Sequence, residues 1–309
     1  MTLQKFSKPF EHLETPDCLI CNSTEKKPFY QVSNRFNQKE SFDLVKCPNC
    51  NFVYLSPRPT ADAIGVYYEV EEYQPHQADA RNAADVLYQR VRIWNNRYKR
   101  KTIEKYKKNG NILDYGCGTG EFLLEMNVSG WKTYGYEPLT KAANIARNHG
   151  LNILKSLQNY QGGADIITLW HVLEHIHDAR GIIKTLQQIM APEAYLIIAV
   201  PNYQSFDAKI FKQNWVAFDA PRHLYHFTPE TMTLFLESMN FQIVSYKTLY
   251  FDPWYNSLLS AKIEAKNKKF KLLIQSLSKS LIAATIANLQ SFFIKKRSSS
   301  LIYIAQSIK

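Results

Sequence analysis

Leu113-Asp114-Tyr115-Gly116-Cys117-Gly118-Thr119-Gly120 decides the fold of this chain. Gly110-Asn111 breaks a charged helical stretch before it, and Asn111 to Tyr115 reads as a short buried strand. Three alternating glycines then let backbone approach a ligand where a Cβ would collide. Glu121 to Met126 opens a helix whose N–H groups face the same ligand. The next strand, Thr133 to Tyr136, ends at Glu137, 17 residues beyond Gly120. A carboxylate there can accept hydrogen bonds from both hydroxyls of a ribose. A glycine turn alone is a weak signal; strand, turn, helix and acid together fit a nucleoside cofactor. The bland alternative is a structural βα turn with a solvated Glu137.

The glycines stand at positions one, three and five of the turn, unlike the G-x-G-x-x-G of dinucleotide sites. The loop resembles motif I of class I S-adenosylmethionine-dependent methyltransferases, over roughly residues 111–250 plus the last strand. Asp165 to Trp170 looks like the fourth strand, followed by His171-Val172-Leu173-Glu174-His175. Tyr195 to Asn202 looks like the fifth, Phe241 to Leu249 the sixth, and Ser300 to Ala305 an antiparallel seventh. The resemblance implies an α/β, Rossmann-like fold: a seven-stranded, mostly parallel sheet with helices on both faces. It implies that Asp114, Gly116, Cys117, Gly118 and Gly120 hold the methionine end of S-adenosyl-L-methionine and Glu137 its ribose. Pro138, Trp170 and His171 would line the same site, with Leu157 or Gln158 near adenine, where the family often carries an acid and this chain has none.

With 309 residues, the chain has room for one α/β domain of about 200 residues plus an appended module. The 45% hydrophobic and 13% aromatic content excludes a disordered chain. Neither a signal peptide nor a run of 18 apolar residues is read, so a cytoplasmic location is expected. The net charge of +11 is concentrated: residues 81–109 carry +8, residues 261–309 carry +9, and the rest sum to −6. The core is thus slightly acidic, while two helical segments can face anionic partners or solvent.

Cys18-Leu19-Ile20-Cys21 and Cys47-Pro48-Asn49-Cys50 form two C-x2-C knuckles separated by 25 residues. That spacing fits four thiolates around a structural Zn2+, in a ribbon too small to build its own core. Two disulfides are the alternative, disfavoured without a secretion signal. The stretch Cys50 to Pro59 resembles the zinc-ribbon exit of bacterial methyltransferases of the sugar-modifying or ubiquinone-like type. The division expected is a zinc ribbon over 1–59, a helical connector and lid over 60–109, and the cofactor-binding domain over 110–309.

Thr60 to Tyr68 reads as a helix capped by Thr60, and Ala80 to Lys108 as a long basic helix. Tyr67, Tyr68 and Tyr73 either fold over the cofactor or pack the ribbon on the core. Phe206 to Pro229 is an aromatic segment ending in Pro221-Arg222-His223-Leu224-Tyr225-His226-Phe227-Thr228-Pro229. A loop this long in a compact domain is usually functional. Trp215, Arg222, His223, Tyr225 and His226 are therefore assigned to the substrate pocket, against a packed crossover with structural hydrogen bonds. A helical insertion is expected over 254–298, and its basic, amphipathic part, 262–297, suits a membrane interface, a cover for the core or a homodimer contact.

Methyl transfer needs a base only if the acceptor must lose a proton. His171, His175, His223 and His226 are candidates, with His171, His175 and His223 favoured. His171 and His175 are four apart with Glu174 between them, a spacing that can bind a metal on a helix, but the loop shows no third acidic ligand at metal spacing. The expected activity is methylation of a small molecule: a sugar nucleotide, quinone-like precursor or secondary metabolite. An RNA methyltransferase using the ribbon and basic helices is a rival, although no base-reading motif supports nucleic acid as a partner. A non-catalytic cofactor-binding scaffold is the third reading.

Overall fold

The computed structural model describes residues 12–68, 83–265 and 270–308. The chain begins with strands β1 (Leu13–Glu14), β2 (Lys27–Ser33), β3 (Ser41–Lys46), β4 (Val53–Leu55) and β5 (Arg58–Pro59). Strand β2 pairs with β3 and β3 with β4, all antiparallel, while β1 pairs with β5. Where a helix was expected from Thr60 to Tyr68, only a 3-10 turn over Ile64–Tyr67 forms. Gly65 and the β-branched Ile64 and Val66 are poor helix formers, and Thr60 supplies its carbonyl rather than its hydroxyl to the turn. Tyr73 lies outside the described residues.

Helix α1 (Ala83–Ile103) leads into the main sheet. Its strands and helices alternate: β6 (Asn111–Tyr115), α2 (Glu121–Val128), β7 (Lys132–Tyr136), α3 (Thr140–Asn148), β8 (Asn152–Leu154), β9 (Ala164–Trp170), α4 (Ala179–Gln188) and β10 (Met190–Pro201). Then come α5 (Phe206–Phe211), β11 (Tyr225–His226), α6 (Pro229–Glu237), β12 (Phe241–Thr248), α7 (Asp252–Ala265), α8 (Phe270–Phe293) and β13 (Ser300–Ser307). The sheet order is β12-β13-β10-β9-β6-β7-β8. Only β13 runs against its neighbours, returning between β10 and β12 as the resemblance implied.

Both faces of this sheet are covered, because successive side chains of a strand point to opposite faces. Leu113, Ile167, Leu196, Ile198 and Tyr303 join one core with Ile183 and Leu186 of α4 and Phe235 of α6. Ile112, Ile166, Ile197, Ile302 and Ile304 join the other with Ile103 of α1, Leu123 of α2 and Ala146 of α3. Strands buried on both faces read as continuous apolar runs, which is how Tyr195 to Val200 appears in the sequence.

The aromatic segment crosses between the two sheets. Strand β11 pairs with β4, so the order of the small sheet is β11-β4-β3-β2. Phe52 of the ribbon packs on Tyr225 and Phe227 at ring separations of 5.9 and 5.1 Å. Thr228 caps α6 through a reciprocal bond with Thr231, and Pro229 opens the helix.

Candidate active site

Strand order reverses between β6 and β9, the place where open α/β sheets leave a crevice for ligands. The glycine loop lies there. Gly116, Gly118 and Gly120 have φ of 77°, 55° and 89°, the left-handed region. A Cβ on Gly116 would meet Val172 Cγ2 at 2.6 Å, so the loop sits tight on the segment after β9. Glu137 follows β7 and spans the gap to the loop: its Oε2 accepts from Gly118 N at 2.9 Å and its Oε1 from Leu139 N at 2.9 Å. Burial raises the pKa of Glu137 despite these bonds. Pro138 beside it is exposed.

Asp114 is buried and accepts from Thr168 Oγ1 at 2.6 Å. Burial pushes its pKa up to about 7, against the opposing pull of Thr168 and the nearby Lys99 ammonium. Lys99 projects from α1 over the Trp170 ring, 4.5 Å from its centroid. Its own pKa is lowered by burial. Trp170 stacks edge-on with Phe122, and its Nε1 is buried without a hydrogen-bond partner. Cys117 is buried, and burial raises its thiol, which suits packing rather than nucleophilic attack. Leu157 is buried in a short turn after β8.

His171 follows β9 with φ of 56°. Its Nε2 is 3.1 Å from Asp252 Oδ2 and its Nδ1 is 3.5 Å from Glu174 Oε1. Burial opposes the imidazolium, but the two carboxylates outweigh it and hold the pKa at about 9. His171 is therefore a cation at neutral pH, which removes it as a base in this state. Asp252 and Lys99 were not singled out from the sequence. Asp252 opens α7 and Lys99 sits mid-helix, and only the fold brings them here.

His175 and His223 meet edge to face, 4.5 Å between ring centroids. His175 Nδ1 lies 3.0 Å from both Arg222 O and Tyr68 Oη, and His223 Nδ1 lies 2.8 Å from Ala217 O. Burial and the neighbouring His223 lower the pKa of His175 to about 4. Burial lowers that of His226 to about 3, and its Nε2 has no hydrogen-bond partner. Glu174 is fully buried; burial raises its pKa, but His171 first and then the other nearby histidines hold it below the usual carboxylate value.

The remaining pocket candidates are held in structural contacts. Arg222 is fully buried, with its guanidinium on both oxygens of Asp219 and on Tyr67 O. Trp215 is buried and donates Nε1–H to Asp207 Oδ2 at 2.8 Å. The Tyr225 hydroxyl accepts from Arg58 and donates to His177 O. These three brace the loop, and His223 is its half-buried member. The packed-crossover reading thus describes most of the segment.

At the other end, Cys18, Cys21, Cys47 and Cys50 place their sulfurs within 4.8 Å of one another. The edges Cys18–Cys50, Cys21–Cys47 and Cys21–Cys50 measure 3.4, 3.5 and 3.7 Å. A tetrahedron with Zn–S bonds of about 2.3 Å has edges of about 3.8 Å, so the donor set fits Zn2+. Both knuckles end in an asparagine of positive φ, Asn22 at 56° and Asn51 at 62°. Arg180 of α4 donates to Leu19 O and Ile20 O and so ties the first knuckle to the main domain.

The family model described as "Methyltransferase domain" matches residues 69–246. The ubiquinone biosynthesis O-methyltransferase of Cupriavidus pinatubonensis is 21% identical over 160 residues, covering 46% of this chain and 64% of that protein. The enzyme of the same description from Bordetella bronchiseptica is 28% identical over 102 residues, 29% of this chain and 42% of that one. The chain thus spans about half the length of these curated relatives. Among solved structures, magnesium protoporphyrin IX methyltransferase from Synechocystis PCC 6803, with bound SAH, aligns with a TM-score of 0.51 at 13% identity. It covers 81% of this chain and all of that one, a likeness of fold. With more than half of its length inside the matched model, the chain belongs to the methyltransferase-domain family.

Proposed function

We propose that this protein is an S-adenosyl-L-methionine-dependent methyltransferase acting on a small molecule. The observation that carries the reading is the glycine loop clamped against Glu137 at the sheet's reversal point, with no Cβ space beneath Gly116. Glu137 would release Gly118 and accept the ribose hydroxyls, and Asp114 and Lys99 would set the charge at the methionine end. Trp170 Nε1, buried and unpartnered, supports a polar ligand group in this crevice. The cofactor supplies an activated sulfonium methyl, so the protein's part is to orient the acceptor and keep water out. His175 and His223, neither of them locked by a carboxylate as His171 is, are the groups best placed to take a proton from the acceptor. The chemistry of the acceptor is read as sugar-nucleotide, quinone-like or secondary-metabolite. Titration calorimetry with S-adenosylhomocysteine tests the reading: saturable one-to-one binding is expected, and a flat isotherm at millimolar ligand would overturn it.

A structural Zn2+ in the four-cysteine site belongs to the same reading, as do the ribbon, connector and catalytic divisions at 1–59, 60–109 and 110–309. Four free thiols gathered for a metal suit a reducing, cytoplasmic compartment.

Peripheral membrane contact has its own supporting observation. Phe292 and Phe293 are 74% and 81% exposed at the end of α8, beside Ile294 and the cations Lys295, Lys296 and Arg297. Among the described residues no helix is long and apolar enough to cross a membrane. An apolar tip beside three cations fits the interface of an anionic bilayer. Flotation with phosphatidylglycerol vesicles should recover the native chain and lose a Phe292→Ser/Phe293→Ser variant; equal recovery removes the idea and leaves a subunit contact.

A further inference from the structure

We propose that Glu174, His175 and His223 form a second metal site, for a divalent first-row transition-metal ion, separate from the four cysteines. Each offers a donor atom, and these donors all lie within 4.8 Å of one another. The carboxylate is the sharper clue. Glu174 is fully buried, and neither of its oxygens has a hydrogen-bond partner. Leaving both oxygens of a buried carboxyl group without a partner is costly, and native structures seldom tolerate it. His171 Nδ1 stands 3.5 Å from Oε1, too far for a hydrogen bond, and its Nε2 is engaged with Asp252 at 3.1 Å.

The histidines are prepared for the same role. A backbone carbonyl can only accept, so His223 donates Nδ1–H to Ala217 O and His175 donates Nδ1–H to Arg222 O. Tyr68 Oη, also 3.0 Å from His175 Nδ1, accepts in this arrangement. Each ring is thereby fixed in the tautomer that leaves Nε2 with its lone pair, which is the usual outer-shell arrangement of metal-binding histidines. The two loops are pinned together as well, since Leu224 N donates to Glu174 O at 2.7 Å. Two imidazoles and one carboxylate form a donor set suited to zinc, cobalt or iron, and three protein ligands leave positions open. On the methyl-transfer reading, those positions would take oxygen atoms of the acceptor, and an ion there would replace the two histidines as bases by acidifying the bound hydroxyl instead.

Metal counting on the full chain tests this site apart from its activity. The chain is loaded with Zn2+, gel-filtered and assayed by elemental mass spectrometry. Two equivalents are expected for the native chain and one each for Glu174→Gln and His223→Asn. Co2+ added to chain holding one equivalent of Zn2+ should give ligand-field bands without the thiolate charge-transfer band, and His223→Asn should lose them. A single equivalent in the native chain, or two retained in both variants, overturns the proposal. His223 is only half-buried, so its variant decides the matter if Glu174→Gln does not fold. Calorimetry with S-adenosylhomocysteine separates the two readings: lost cofactor binding with two metal equivalents retained refutes the first and leaves this one standing.

Discussion

The two ends of the crevice are built on opposite principles. The end proposed to hold the cofactor is local: Asp114, the three glycines and Glu137 lie within 24 residues, on two adjacent parallel strands and the turn between them. Its contacts are made by backbone as much as by side chains. The end proposed for the acceptor is assembled from afar, with Tyr68, Glu174, His175, His223 and Asp252 coming from four segments and a ring nitrogen at nearly every joint. One end is specified by a motif and the other by tertiary structure, which is why the first can be read in the sequence and the second cannot.

On the proposed zinc reading, removing the ribbon metal should separate the two ends most widely. Structural zinc contributes on the order of 10 kcal/mol to the folding of small modules. Strand β11 is part of the ribbon's sheet, so Cys47→Ser should disorder the histidine loop as well as the knuckles. The expected outcome is loss of turnover and of Tyr225 and Phe227 amide protection by hydrogen exchange. Affinity for S-adenosylhomocysteine should stay within about threefold, since the glycine loop is braced by Glu137 and Val172 of the main domain. An equal loss of cofactor binding would show that the ends are one unit.

A smaller effect sharpens the cofactor end alone. Asp114 has a raised pKa of about 7 against an ordinary 3.8, so its folded state prefers the protonated acid. Its contribution is favourable at low pH and is lost as pH rises from about 4 through about 7. Asp114→Asn, which keeps the acceptor for Thr168, should therefore leave the cofactor-free protein unchanged near pH 4. Above pH 7 it should be more stable by about 4 kcal/mol, while binding the cofactor poorly. Denaturant melts at about pH 4.5 and about pH 8 check the sign. Glu137→Ala, which on the proposed reading removes two charge-assisted bonds to ribose, should weaken S-adenosylhomocysteine by about 3 kcal/mol, or roughly a hundredfold. The smallest change lies at the acceptor end. Asp252→Asn removes the nearer carboxylate from His171, whose pKa should fall from about 9 by roughly one to two units on NMR titration. The stability His171 confers, present below about pH 6.5 and lost as pH rises through about 9, should shrink with it.

The sheet was largely legible, because apolar runs bounded by glycine and asparagine mark parallel strands, and the short span from Tyr115 to Lys132 fixes a βαβ step. The cysteines were equally plain, since each knuckle is local. Arg222 and Trp215 read from the sequence as pocket groups, and the fold pairs them with Asp219 and Asp207, contacts that no local pattern announces. Glu174 has no role legible between His171 and His175, because its significance depends on His223, 49 residues away. Lys99 and Asp252 carry no local signal at all. Helix α1 and helix α7 have to be docked before a lysine comes beside Asp114 and Trp170 and an aspartate beside His171.

Asn202, at the end of β10, is a crossing point for forces rather than a contact among many. Its side-chain amide donates to Lys296 O and Ser298 O, its backbone N–H donates to Ser299 O, and its backbone bridges to Phe227. A load applied to the basic turn after α8 is therefore delivered, through one buried amide, to the residue next to His226. Docking of that turn on any surface would be felt in the histidine loop as a displacement, with the glycine loop outside the line of transmission.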